Sequence, residues 1–359
     1  VGALIGLPMF FEVGLVLLIP VILLVVKRSG LPLMRVAIPT LAGLSTMHGL
    51  VPPHPGPLAA LANFDNGYLG LSLLFGILIA SPTVIVSGPL FSILAARWVP
   101  VGVPASMNAL IGSATGDGFG DEDSADAATK RARPSFGAAV TCVLLPVVLM
   151  LANAIYEIAN PVPAGSEDSS WMGTVLGFVG RPTVALAIAL LVGMVVLGRG
   201  GKMPWSKVND SAASGLPAIA GIILIVGAGG GLKGVLVDTG IGDVIARFVE
   251  DSAIPITLLA WVVAVIVRIA TGSATVSIVT TAGILAPAAA GLGSVQVSLL
   301  VLAIGAGSLF LSHVNDAGFW LVKEYMGVSV GQNFKTWSLM ECILSATALV
   351  FVLIVDIFV

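Results

Sequence analysis

Charge is scarce in this sequence: Asp, Glu, Lys and Arg make up 10% of its 359 residues, against about 25% in soluble globular domains. That shortage excludes a soluble enzyme and a disordered chain. A net charge of −3 and a pI near 5.6 provide no basic field for phosphate backbones, so a nucleic-acid partner is excluded as well. Cysteine is scarcer still. Cys142 and Cys342 are the only two, each isolated in an apolar run. They form neither a disulfide framework nor a metal-ligand pattern and read as small packing residues. The HExxH pattern of a helical metal site and the glycine-rich phosphate loop of an ATP-driven pump are both missing. No cofactor is expected. The first residues lack the basic region and cleavage site of a signal peptide.

Apolar sequence is abundant. Hydrophobic residues make up 57% of the chain and mean hydropathy is +1.07, enough for about ten crossings of ~20 residues. The apolar runs are long and continuous instead of alternating, which fits helices and excludes an outer-membrane barrel. Gly (43) and Pro (21) are also in excess, about 18% against an average of about 12%. Membrane helices tolerate broken backbone only where it is buried in protein or lines a cavity. The excess therefore points to interrupted helices, the architecture of secondary transporters.

Apolar segments are expected at 1–26, 31–63, 69–96, 136–159, 172–198, 213–233, 254–291, 295–327 and 335–356. Between them, Gly112–Asp126 (GSATGDGFGDEDSAD) reads as a solvated, mobile loop. Its acids lack the spacing and the closing Glu of an EF-hand. Basic residues cluster at Lys27, Arg28 and Arg35; at Arg97, Lys130, Arg131 and Arg133; at Arg199, Lys202 and Lys207; and at Lys323 and Lys335. The alternate loops are mainly acidic, so the basic clusters are expected on the cytoplasmic side. Parity then constrains 254–291, which must enter and leave on the same outer side. Two half-helices meeting near Thr271-Gly272-Ser273 achieve this as a re-entrant hairpin. Segment 1–26 reads as the second arm of a similar hairpin entered from the cytoplasm.

Two stretches share one layout. Gly6–Pro20 (GLPMFFEVGLVLLIP) and Gly272–Pro287 (GSATVSIVTTAGILAP) each have a Gly-led polar break and an apolar arm closing on Pro. Each is followed by a His that opens a break in a long apolar helix: His48 before Gly49–Pro57, and His313 before Val314–Gly318. The His-to-His offset, 313 minus 48, is 265 residues. Opposite entry sides make this an inverted-topology repeat with its site near the midplane, where the breaks meet. Freed carbonyls and helix ends there can hold a cation, and half-helix N-termini an anion. The repeat also leads one to expect further sequence upstream of Val1. The chain then divides into 1–26, part of the first hairpin; 27–96, its broken helix and following span; and 97–135, a mobile cytoplasmic loop. Next come 136–253, scaffold spans and the start of the second repeat; 254–291, the second hairpin; and 292–359, a broken helix and terminal span.

Met47–Pro57 (MHGLVPPHPGP), Gly272–Pro287 and Ser312–Tyr325 (SHVNDAGFWLVKEY) resemble the gluconate:proton symporter family. The resemblance runs from the FFEVG at Phe10–Gly14 to the last helix and is missing only from the acidic loop. It implies an all-α polytopic membrane protein of inverted-repeat, elevator type, with two re-entrant hairpins and two broken helices. It further implies a homodimer in the bacterial inner membrane whose mobile domain carries hairpins and breaks past a scaffold. The implied function is proton symport of gluconate or a related small hydroxylated carboxylate. Family members also carry other sugar acids or a small amino acid, and an ion channel is the alternative class.

Individual residues carry two readings each. Glu12 sits beside the first hairpin tip; a carboxyl in hydrocarbon must be paired, protonated or wet. It is either a proton carrier or a neutral carboxyl bonding a helix end. All three histidines, His48, His54 and His313, fall in the two breaks. Imidazole suits both sugar hydroxyls and carboxylates, and it can relay protons; structural hydrogen bonding is the alternative. A zinc site is disfavoured because the six-residue spacing of His48 and His54 is atypical. Ser273 and Thr275 put hydroxyls at the second tip, for a substrate carboxylate or for capping. Asn315 and Asp316 offer substrate contact, proton transfer at Asp316, or capping. Arg268 is expected to neutralise either a carboxylate side chain or the substrate. Glu324 and Glu341 are expected near the cytoplasmic end in interface or ion-pair roles, and Trp171, Trp205 and Trp337 as interfacial anchors.

Overall fold

The computed structural model describes residues 1–7, 10–64, 68–104, 135–160, 170–199, 202–213 and 254–358, with 224, 231, 235, 238 and 239. The acidic loop, most of segment 213–233 and the stretch up to 253 lie outside the described residues. All regular elements among the described residues are helical. They fall into two units, Val1–Phe119 with Ile225–Val359, and Gly120–Leu224.

The first unit begins with a short α1 (Gly2–Gly6) and α2 (Phe11–Ser29). Helix α2 stops at Gly30, whose left-handed backbone (φ +68°) returns its N–H to Val26 O at 3.0 Å. That is the glycine stop common at helix ends, with Lys27 and Arg28 in the last turn where the dipole favours cations. Helix α3 (Leu33–Leu50) runs into a break, and α4 (Pro55–Leu61) restarts with Pro at its first position. Helix α5 (Leu69–Trp98) carries a π-helical turn at Val86–Leu90.

The second unit holds α6 (Phe136–Ala159), α7 (Trp171–Val179), α8 (Pro182–Gly193) and α9 (Trp205–Ala213). A 71° bend separates α7 from the helix that follows. The expected single span at 172–198 is therefore bent, because Gly180-Arg181-Pro182 interrupts it.

The later part of the first unit holds α10 (Ile256–Thr271), α11 (Ala274–Leu285), α12 (Ser294–Ser308), α13 (Ala317–Met326) and α14 (Val330–Phe358). Among the described residues, three helices, Leu69–Trp98, Gly137–Tyr156 and Val330–Phe358, are long and apolar enough to cross a membrane, or four if the bent pair counts as one span. Helices α10, α11 and α12 are apolar but shorter, as half-helices beside breaks would be.

Helix α12 is the centre of this unit, buried all round from Val297 to Ser308. Its glycines allow close crossings. A Cβ on Gly305 would strike the carbonyl oxygen of Gly49 in α3, and one on Gly307 would meet the Trp261 carbonyl oxygen of α10 at 2.5 Å. Leucines and isoleucines of α2 and α3 pack with Phe319, Val322 and Met326 of α13 and with Trp337, Met340 and Leu344 of α14. Helix α5 is inside out by soluble standards. Ser72, Thr83 and Ser87 are buried, Ser72 Oγ meeting Ser298 Oγ at 3.0 Å, while Leu78, Ile85 and Leu90 are exposed. Ser72 joins α5 to α12, Thr83 and Ser87 donate to carbonyls one turn back in α5, and the apolar side chains face outward, as hydrocarbon surroundings require.

Candidate functional site

Helices α10 and α11 form a hairpin whose tip is Thr271-Gly272-Ser273. Gly272 ends α10 in the left-handed conformation (φ +72°), its N–H returning to Arg268 O at 2.9 Å. A Cβ at Gly272 would collide with the carbonyl oxygen of Asn315. The break between α12 and α13 thus lies directly against the tip, and only glycine combines this backbone with this clearance. The last carbonyls of α10 lack helical partners, and the neighbouring side chains supply them. Ile269 O accepts from Asn315 Nδ2 at 2.9 Å and meets His313 Nε2 at 3.1 Å, a contact that requires the proton on Nε2. Gly272 O accepts from Arg268 Nη1.

Arg268 also forms the buried ion pair of the site. Its Nη2 donates to Asp316 Oδ2 at 2.5 Å. Asp316 caps α13 through Gly318 N at 2.8 Å, and its Oδ2 accepts from Ser312 Oγ at 2.5 Å. Ser312 in turn accepts from Trp337 Nε1 at 2.7 Å, and Ser338 Oγ donates to the Ser312 carbonyl at 2.5 Å. The Trp337 ring stacks on Phe11, centroids 4.8 Å apart. A buried ion pair persists only when its remaining donors and acceptors are satisfied. Here α10, the break, α13 and α14 all contribute.

The other break gathers around the two remaining histidines. His48 lies in the last turn of α3, and the chain from Val51 to His54 brings the His54 ring to 4.0 Å from it; Phe10 packs edge-on to His54 at 5.4 Å. Both histidines are buried, His48 at 7% exposure and His54 at 2%. Glu12 is half-buried in the first turn of α2. Glu12, His48 and Glu341 all lie within electrostatic reach of Arg268 and Asp316. Three buried polar atoms here have no hydrogen-bond partner among the described residues: Arg268 Nε, His48 Nδ1 and Glu341 Oε1.

Several expectations change in detail. His48 and His313 are not equivalently placed. His48 is still helical, whereas His313 follows the end of α12 at Ser308 by five residues, because the second break spans 309–316 and the first only 51–54. Ser273 Oγ caps α11 by accepting from Val276 N at 3.3 Å, and Thr275 is half-buried one residue beyond Ala274. Of the two expected fates of Arg268, pairing with a carboxylate side chain is present. Glu324 is exposed and bonds Lys323 at 2.6 Å. Trp171 and Trp205 are exposed, but Trp337 is buried and Glu341 is 1% exposed, hydrogen-bonded with the Ser45 side chain. Both depart from the exposed edge positions expected of them: they are buried in the bundle, on a helix that starts at Val330, not near 335. The capping box of Ser329 and Gln332 marks that start. Ser312 was missed altogether.

Residues 1–358 match the sequence profile of the GntP family permeases. The chain belongs to the GntP permease family. It is a multi-pass membrane permease, not an enzyme. A gluconate permease of Pseudomonas aeruginosa is 45% identical over 353 residues, covering 98% of this permease and 74% of the relative. The Gnt-II system L-idonate transporter of Escherichia coli is 39% identical over 355 residues, covering 99% and 75%. A high-affinity gluconate transporter of the same species is 38% identical over 349 residues, covering 97% and 74%. No solved structure matches this permease.

Proposed function

We propose that the protein imports gluconate, or a closely related sugar acid, by proton symport across the bacterial inner membrane. The observation that carries this reading is the Arg268–Asp316 pair. It is buried where the hairpin tip meets a helix break, in a family whose relatives are named for gluconate and L-idonate. The substrate carboxylate engages the tip at Ser273 and Thr275, where the N-terminus of α11 favours an anion. His48, His54, His313, Asn315 and Asp316 hold its hydroxyls. Unpartnered Arg268 Nε and His48 Nδ1 support a ligand at this place, since a buried donor or acceptor left bare is costly. Glu12, His48 and Asp316 are the proton-coupling groups.

The same reading includes an inverted repeat. Helices α1, α2, α3 and α4 correspond to α10, α11, α12 and α13. Close glycine packing supports it: Gly43 of α3 meets Ala3 N of α1, and Gly307 of α12 meets Trp261 O of α10. Hairpins and breaks then travel together as the mobile part of an elevator, past a scaffold that forms a homodimer. The test is uptake of labelled gluconate into proteoliposomes under an inward proton gradient. Accumulation that a protonophore abolishes is expected, with L-idonate as the competitor that ranks the sugar acids. Equilibration without accumulation would indicate a channel and overturn the proposal.

A further inference from the structure

We propose that Glu341 is a further proton-carrying carboxyl of this transporter, required for coupling alongside Glu12, His48 and Asp316. The proposal rests on the proton-symport reading above. Glu341 lies on α14, and its position is unusual for a structural carboxyl. It is 1% exposed, no ion pair holds it among the described residues, and Oε1 has no hydrogen-bond partner there. It is hydrogen-bonded with Ser45 of α3. His48 is three residues further along α3, on the same face of that helix, with Nδ1 also unpartnered.

The groups around Glu341 leave it no cation of its own. Arg268 of α10 is committed to Asp316 and Gly272. Helix α12 has no titratable side chain, and the single one on α5, Arg97, is exposed. On α14 itself the neighbour is Cys342, and on α3 it is His48. The charges sum simply. Arg268 and Asp316 cancel. Glu12 of α2 also faces this pair; with Glu12 neutral, an ionised Glu341 leaves the core at −1, and a bound sugar-acid anion would bring it to −2. Two uncompensated charges in a low-dielectric interior repel strongly. Taking one proton onto the Glu341 carboxylate removes one of them. Proton and substrate therefore bind more tightly together than apart, and by linkage each strengthens the other by the same factor. Releasing the proton on the inner side restores the repulsion and expels the anion.

The test is Glu341→Gln, which keeps size and hydrogen bonding but cannot exchange a proton. In proteoliposomes, the variant is expected to keep exchange of external labelled gluconate for internal unlabelled gluconate, which needs no net proton movement. It should lose accumulation driven by an inward proton gradient. With one proton per substrate and a gradient of about two pH units, wild type can accumulate up to about 100-fold, each unit being a factor of ten, whereas the variant stops at equilibration. Glu341→Asp should recover gradient-driven accumulation. Glu341→Gln that still accumulates overturns the proposal. So does Glu341→Gln that loses exchange along with accumulation, because Glu341 would then serve folding or substrate binding. If wild type exchanges gluconate yet fails to accumulate it under the gradient, proton symport itself is what fails.

Discussion

The Arg268–Asp316 pair makes a quantitative prediction about stability. Asp316→Asn removes the charge but leaves an oxygen able to accept from Gly318 N, so the α13 cap survives. What is lost is the partner of a guanidinium that is 5% exposed, the carboxylate itself being 12% exposed. Breaking a buried pair on one side costs about 3–5 kcal/mol, most of it from the charge left behind. Arg268→Gln should fall at the lower end, about 3 kcal/mol, because Ser312 and Gly318 still donate to Asp316. The double variant buries no unpaired charge. It should cost about as much as Asp316→Asn alone, which gives a coupling energy of about 3 kcal/mol, at the upper end for residues in one network. Asp316→Ala should exceed Asp316→Asn by about 1 kcal/mol, the usual worth of a helix cap. Reversible unfolding of the four proteins in mixed micelles, followed by circular dichroism, measures the cycle. Single changes that add within about 0.5 kcal/mol would show that the two side chains act independently and would refute the buried-pair reasoning.

Two further changes probe the same region. Gly272→Ala forces a side chain into φ +72° against the Asn315 carbonyl. It should lose about 1–2 kcal/mol to the left-handed backbone alone, and more to the collision, with a matching fall in gluconate uptake per folded protein. Trp337→Phe keeps the stack on Phe11 but removes the donor to Ser312. A loss of about 1 kcal/mol is expected in the same unfolding assay, whereas no change would remove Trp337 from the network.

The helix breaks were legible because proline and glycine act locally. Pro52 to Pro57 cannot continue α3, and Gly272 sits where a hairpin must turn. The pairing of His48 and His54 at the first break was legible for the same reason. Pairings across long separations were not: Arg268 and Asp316 are 48 residues apart, and nothing local marks which carboxylate a buried arginine will meet. The nearby basic residues Lys323 and Lys335 point Glu341 and Trp337 to a membrane edge in the sequence. Helix α14 begins earlier, at Val330, so Glu341 lies eleven residues, about 16 Å, along it. The capping box was the signal available in the sequence, and the hydropathy run concealed it. The bend after α7 was likewise written in Gly180-Arg181-Pro182 but lost within a continuous apolar stretch.

Proton movement during gluconate entry is the most direct measurement of the proposed symport. Lightly buffered, de-energised proteoliposomes holding a trapped pH dye would receive labelled gluconate from outside. The lumen is expected to acidify in step with entry of the label, with both signals lost in vesicles lacking the protein. Gluconate entry without acidification would contradict proton symport.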